Sequence, residues 1–182
     1  MTNLTLIIPT KKEAESLPTF LKELENYNFN KLIVLQEEDI ETQKAIAKID
    51  EIDILVQKNP GYGNALKEGI EATKTEYCCI INADGSMNPK YLKSMLDKCK
   101  INDLVFCSRY EKGGGSNDDD IVTFIGNKIF TFIGNFFFRL NLSDILYTYI
   151  IGKTSSFKLL TLKYNDFRIC VEIPIKAKRR KM

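Results

Sequence analysis

Histidine is absent from the 182 residues. Its absence excludes Ser-His-Asp and Cys-His nucleophilic relays, and any metal held by imidazole. An excess of charge of one sign is also missing. The 26 lysines and arginines against 24 acidic residues leave a net charge of +2, so nothing in the balance points to nucleic acid. Paired cysteines are lacking too. Cys78, Cys79, Cys99, Cys107 and Cys170 are odd in number, never spaced Cys-x-x-Cys and mostly set in apolar runs. They read as buried thiols of a reducing cytoplasm, not as disulfides or zinc ligands. No apolar run reaches the ~18 residues of a membrane span. The nearest, Phe124 to Phe138, is interrupted by Asn127, Lys128 and Asn135, and is not expected to cross a bilayer. Met1 leads straight into a strand-like segment without a basic n-region, so no secretory leader is expected.

What is present is a chain 44% hydrophobic and 27% charged, enough for one domain with a substantial core. Leu4 to Pro9 is an apolar run closed by proline, as in a buried parallel strand. Leu17, Phe20, Leu21 and Leu24 then recur at helical spacing within Lys11–Asn26. A strand at Leu32–Leu35, a helix at Thr42–Ile49 and a strand at Ile52–Val56 follow. The alternation predicts an α/β fold with a mostly parallel central sheet flanked by helices. A glycine-bearing loop (Gly61, Gly63) opens a helix running to about Thr73, without a dinucleotide or Walker fingerprint. Helix is expected again over Lys90–Lys98, strand over Asp103–Cys107, and a last strand over Phe167–Ile175.

The pivotal stretch is Ile80-Ile81-Asn82-Ala83-Asp84-Gly85-Ser86. The apolar, β-rich run Tyr77 to Ile81 leading into it reads as a short buried strand that stops on a small acidic turn, which delivers a carboxylate to the C-terminal edge of a strand. Asp84, the Asn82 amide and the Ser86 hydroxyl are hard oxygen donors suited to Mg²⁺ or Mn²⁺ shared with a substrate phosphate. The alternative is a plain Asp-Gly turn. Arg109, just past the Asp103–Cys107 strand, is expected on the same edge, able to grip a phosphate or to sit in a salt bridge. A glycine- and aspartate-rich loop, Glu111–Asp120, leads into Ile121–Leu140, a greasy segment with six phenylalanines. Core packing is the expectation there, and docking to lipid on the inner face of a membrane is the alternative. The basic C-terminal cluster, Lys176 to Lys181, could touch phosphates or an anionic surface, or be a solvated end.

In order, Ile8-Pro9 with Glu13, Gln36–Asp39, Gly61-x-Gly63-x-Ala65-Leu66 with Gly69, and Asn82–Ser86 resemble the motifs of family-2 glycosyltransferases of the GT-A fold. Ser108-Arg109-Tyr110 with Gly113-Gly114, Asp144 before Gly152, and Glu172-Ile173-Pro174 continue the likeness, which is closest to the polyprenyl- and dolichyl-phosphate hexosyltransferases. The resemblance implies a single Rossmann-like nucleotide-diphospho-sugar transferase domain. It implies base contacts from Pro9, Thr10, Lys11, Glu13, Gln36 and Glu37, and donor contacts from Gly61, Gly63, Ala65, Asn82 and Ala83. It implies a metal on Asp84 with Ser86 and Asn82, and catalytic tasks for Asp84, Arg109 and Asp144. The implied partners are a UDP- or GDP-hexose and a polyprenyl phosphate, with peripheral membrane contact. A sugar-hydroxyl acceptor served by Asp144 as base, and a catalytically degenerate nucleotide-binding domain, are the other readings. The chain departs from the family pattern at Asn82, where an Asp-x-Asp motif has its first acid, and at Lys11-Lys12 and Gln36–Asp39. Lys128 or Arg139 stands where a second phosphate-binding arginine is usual, and only eight residues follow Pro174, as in a truncated form.

Overall fold

The computed structural model describes residues 3–112, 114–115 and 121–182. Gly113 and most of the expected loop Glu111–Asp120 therefore lie outside the described residues. The strands are β1 (Leu4–Pro9), β2 (Asn30–Leu35), β3 (Asp53–Val56), β4 (Tyr77–Ile80), β5 (Leu104–Phe106) and β6 (Ile150–Lys153). The helices are α1 (Ser16–Glu23), α2 (Ile40–Ile46), α3 (Tyr62–Ala72), α4 (Leu92–Cys99), α5 (Ile121–Phe138), α6 (Thr154–Leu159) and α7 (Ile169–Arg179). The sheet order is β3-β2-β1-β4-β6-β5. β1 pairs in parallel with β2 and β4, and β2 with β3. β6 runs antiparallel between β4 and β5, so β1 to β5 all end on one edge and β6 begins there.

Residues alternate across the sheet, and each face has its own core. Leu6, Ile8, Ile33, Leu35, Cys79 and Ile151 pack under α1, α2 and α4 through Phe20, Leu21, Ile46 and Met95. Ile7, Val34, Cys78, Ile80 and Ile150 pack under α3, α6 and α7 through Leu66, Ile70, Phe157 and Ile173. The sheet is thus covered on both sides, the condition that lets parallel strands be apolar throughout.

Two expectations are corrected. Phe167–Ile175 is not a strand but leads into α7. Ile169, Cys170, Ile173 and Ala177 are buried at helical spacing, and Pro174 is carried inside the helix. Glu172 is buried and ties α7 to the preceding loop, accepting from the Lys163 and Tyr164 N–H groups and pairing with Lys176 at 2.8 Å. The second correction concerns α5, which is not core. Phe132, Phe136 and Phe137 are 69%, 69% and 71% exposed, while its buried positions are Asn127, Thr131 and Gly134. Asn127 donates to Tyr110 Oη, Thr131 Oγ1 accepts from Ile145 N–H, and Asn135 exchanges two hydrogen bonds with the Leu142 backbone. α5 therefore turns its polar groups inward and its apolar ones outward, the reverse of an ordinary surface helix. By length and composition alone it could cross a membrane, a possibility the sequence reading excluded because of its polar interruptions.

Candidate functional site

Three chain segments converge at the shared strand edge because of the topology. β4 runs into Asn82–Ser86, β5 runs into Cys107–Arg109, and the approach to β6 supplies Leu146–Thr148. Between them opens a cavity of about 700 Å³ lined by Tyr62, Asn82, Asp84, Ser86, Arg109, Tyr147, Thr148 and Phe167, among others. Asp84 sits in a tight turn made possible by Gly85, whose φ of +75° few side chains tolerate. The Ser86 N–H and hydroxyl both donate to Asp84 Oδ1, at 2.9 and 2.7 Å. That bracing fixes one carboxylate oxygen. Oδ2 makes no hydrogen bond among the described residues, and the carboxylate is exposed to the cavity.

Across the cavity Arg109 is held from behind by Asp144. Nε and Nη2 reach the two carboxylate oxygens at 2.8 and 3.0 Å, and the Arg109 N–H adds a 3.4 Å contact. The Asp144 side chain is fully buried, whereas the Arg109 side chain keeps 16% exposure. The guanidinium also lies 5.0 Å from the Tyr147 ring centre and 5.2 Å from that of Tyr110. Arg109 thus makes a salt bridge with a buried partner, not the surface salt bridge among its sequence alternatives, and at the same time stays on the cavity wall. Tyr110 links this wall to α5, edge-on to Phe124 at 5.3 Å and capped by Lys128 Nζ at 4.4 Å. Lys128 thus faces aromatic rings.

The other sequence candidates divide. Pro9 ends β1 and Thr10, Lys11 and Glu13 follow it, and Gln36 and Glu37 follow β2, on the same sheet edge. Asp39 ties these two loops together, accepting from Lys12 N–H at 2.6 Å while capping α2 at Thr42. Gly61, Gly63 and Ala65 are instead packing residues. The Gly63 N–H is taken by the Asn165 carbonyl at 2.9 Å, so it is not available to a phosphate. A Cβ on Gly63 would lie 2.5 Å from the Tyr164 carbonyl oxygen. Ala65 is buried under the sheet, and Ala83 is buried at the turn. Sequence reasoning missed Tyr62, Tyr147, Thr148 and Phe167. Only Tyr62 carried a signal, by standing between two flagged glycines.

The donor set suits a hard divalent cation only in part. Among the described residues no cluster of three or more histidines, cysteines or acids exists. Asp84 matches a site completed by ligand phosphates, as Mg²⁺ and Mn²⁺ sites commonly are, while the Asn82 amide oxygen already accepts from Tyr62 Oη. Burial pushes the Cys107 thiol on the cavity wall above its ordinary value.

Several solved structures share this architecture. Glucosyl-3-phosphoglycerate synthase from Mycobacterium tuberculosis, in complex with phosphoglyceric acid, superposes with a TM-score of 0.72 at 15% identity, over 97% of this chain and 65% of that one. The same enzyme with Mn²⁺, UDP and glucosyl-3-phosphoglycerate gives a TM-score of 0.70 at 15% identity, over the same shares of both chains. Mannosyl-3-phosphoglycerate synthase from Rubrobacter xylanophilus gives 0.63 at 16% identity, over 83% of this chain and 53% of that one. These likenesses establish the GT-A fold. In sequence, the chain is 32% identical over 99 residues to the uncharacterized glycosyltransferase Rv0539 of Mycobacterium tuberculosis, covering 52% of this chain and 44% of that protein. An uncharacterized glycosyltransferase of Mycobacterium bovis, Mb0553, matches to the same extent, so the chain spans less than half the length of these curated relatives. The family model for glycosyl transferase family 2 matches residues 5–160, from the first strand past the antiparallel β6, and the chain belongs to that family.

Proposed function

We propose that the protein transfers a hexose from a UDP- or GDP-sugar to a polyprenyl phosphate, working peripherally on the inner face of a membrane with Mg²⁺ or Mn²⁺ at Asp84. The observation that carries this reading is the cavity whose lining holds both a braced, exposed carboxylate (Asp84) and a fixed guanidinium (Arg109). Family membership and the UDP, Mn²⁺ and Mg²⁺ named for structural neighbours support the donor half. When bound, a divalent cation would neutralise the charge that grows on the departing diphosphate.

The remaining tasks fall to side chains. The loops after β1 and β2, joined through Asp39, would receive the base. Arg109 would hold a phosphate in an orientation set beforehand by Asp144, so little order is lost on binding. The same pair favours a phosphate acceptor over a sugar hydroxyl. A hydroxyl needs a base, yet both Asp144 oxygens are engaged by Arg109. A phosphate monoester is already largely ionised near neutral pH and needs none. The lipid part rests on α5, whose outward phenylalanines adjoin the cavity through Tyr110. Exposed basic residues at the end of α7 (Lys178, Arg179) would add attraction to anionic headgroups.

The test is transfer of radiolabelled hexose from UDP- and GDP-sugars to polyprenyl phosphate in vesicles, with 3-phosphoglycerate as the competing acceptor. Label entering the organic phase only with Mg²⁺ or Mn²⁺ is expected. Label moving to phosphoglycerate instead refutes the lipid acceptor, and transfer to neither refutes the catalytic reading.

A further inference from the structure

Asn82 stands where an Asp-x-Asp turn would place its first carboxylate, and its side-chain oxygen faces Tyr62. The Tyr62 hydroxyl donates to Asn82 Oδ1 at 3.2 Å and shares a 2.9 Å hydrogen bond with Thr148 Oγ1. A phenol has one proton. With that proton given to Asn82, Thr148 is the donor to Tyr62, and the relay Thr148 to Tyr62 to Asn82 has a fixed direction. Thr148 is buried, and the Tyr62 ring is clamped by Phe167 at 4.6 Å and 17°. The Asn82 backbone is held as well, its N–H on Met87 Sδ at 3.3 Å. The amide Nδ2 has no hydrogen bond among the described residues. It is also not among the buried atoms that lack a partner, and Asn82 lines the cavity. Its two N–H donors therefore open onto the site.

We propose that Asn82 is a hydrogen-bond donor to the donor sugar's diphosphate and not a metal ligand, with Tyr62 and Thr148 as the residues that position it. The inference rests on the nucleotide-sugar reading above. A carboxylate at this position would repel the diphosphate unless a cation bridged them, whereas an amide N–H binds a phosphate oxygen directly. The chain has thus exchanged part of its metal dependence for a neutral donor, leaving the cation to Asp84 alone.

Calorimetric titration of UDP and GDP, each with and without Mn²⁺, tests this. Wild-type protein is expected to bind one nucleotide measurably without metal. Asn82→Asp is isosteric and keeps the Tyr62 contact. It is expected to weaken metal-free binding at least about tenfold, and to enlarge the gain from Mn²⁺ by a similar factor. Asn82→Ala is expected to lower metal-free binding while leaving the Mn²⁺ gain unchanged. Tyr62→Phe, with its fold checked by urea midpoint, is expected to lower metal-free binding severalfold. Asn82→Asp or Asn82→Ala binding like wild type in both conditions overturns the proposal alone. Failure of wild-type protein to bind either nucleotide in any condition overturns the functional reading, and this proposal with it.

Discussion

Removing the Asp144 carboxylate is the sharpest test of how the cavity wall is built. Asp144→Ala takes away two charge-assisted hydrogen bonds of 2.8 and 3.0 Å from a guanidinium that is only 16% exposed. It also removes the acceptor of the Arg109 N–H. Breaking one side of a buried pair typically costs about 3–5 kcal/mol. On a domain of this size, each kcal/mol lowers the melting temperature by about 2–4 °C, so a drop near ~10 °C is expected. Replacing both partners, with Arg109→Met and Asp144→Leu, is expected to restore most of that stability, since a well-packed apolar pair of similar volume often matches a buried ion pair. Activity should stay lost, because the phosphate grip is gone. Urea unfolding followed by circular dichroism for the two singles and the double closes the cycle. An Asp144→Ala loss under about 1 kcal/mol would refute the claim that this pair is buried and coupled. Asp144→Asn that kept full stability yet lost all turnover would point instead to a base.

Other perturbations reach different parts of the account. Burial alone would push the Glu172 carboxyl up, but Lys176 and the Tyr164 and Lys163 N–H groups outweigh it and hold it below the usual glutamate value. A lowered folded-state value means its contribution is complete above the unfolded value and fades as pH falls through the folded one. Glu172→Gln is therefore expected to cost about 1.5–3 kcal/mol near neutral pH. That gap in urea midpoint should close as the medium becomes acidic enough to protonate the folded carboxyl. Gly63→Ala would drive a Cβ to 2.5 Å from the Tyr164 oxygen and 2.7 Å from the Asn165 carbonyl carbon, both backbone atoms. A loss of about 1–3 kcal/mol is expected, and a neutral result would refute the close approach. Changing Phe132, Phe136 and Phe137 to serine should alter stability by no more than about 0.5 kcal/mol each, since all three are exposed. Sedimentation with anionic vesicles should be lost, and unchanged sedimentation would remove α5 from the membrane reading.

Much of the fold was legible because its signals are local. The β-α-β-α-β alternation follows from short apolar runs between helical periodicities, and β1 to β5 fall where those runs lie. The acidic turn after β4 and Arg109 after β5 share an edge, as parallel strands require. β6 was hidden because Ile145–Ile151 is apolar but for Thr148, and nothing local marks where loop becomes strand. α7 was misread because Val171, Ile173 and Ile175 are β-branched and bracket a proline, which resembles an edge strand until the burial at Ile169, Cys170, Ile173 and Ala177 shows helical spacing. The Arg109–Asp144 pair spans 35 positions and forms only when α5 and the loop after it fold back under Asn127, Thr131 and Asn135. The inward-facing polarity of α5 did leave a trace in Asn127, Thr131 and Asn135, four apart and so on one helix face, but a polar stripe on a helix ordinarily marks its solvent side.

The most direct test of the central claim is calorimetric titration of UDP, GDP and their hexose conjugates into the protein, with and without Mn²⁺, beside Asp84→Ala. Binding of one nucleotide class that Mn²⁺ strengthens, with the strengthening lost in Asp84→Ala, is the expected result. An Mn²⁺ effect that survives Asp84→Ala, or no binding of any nucleotide, would contradict the account.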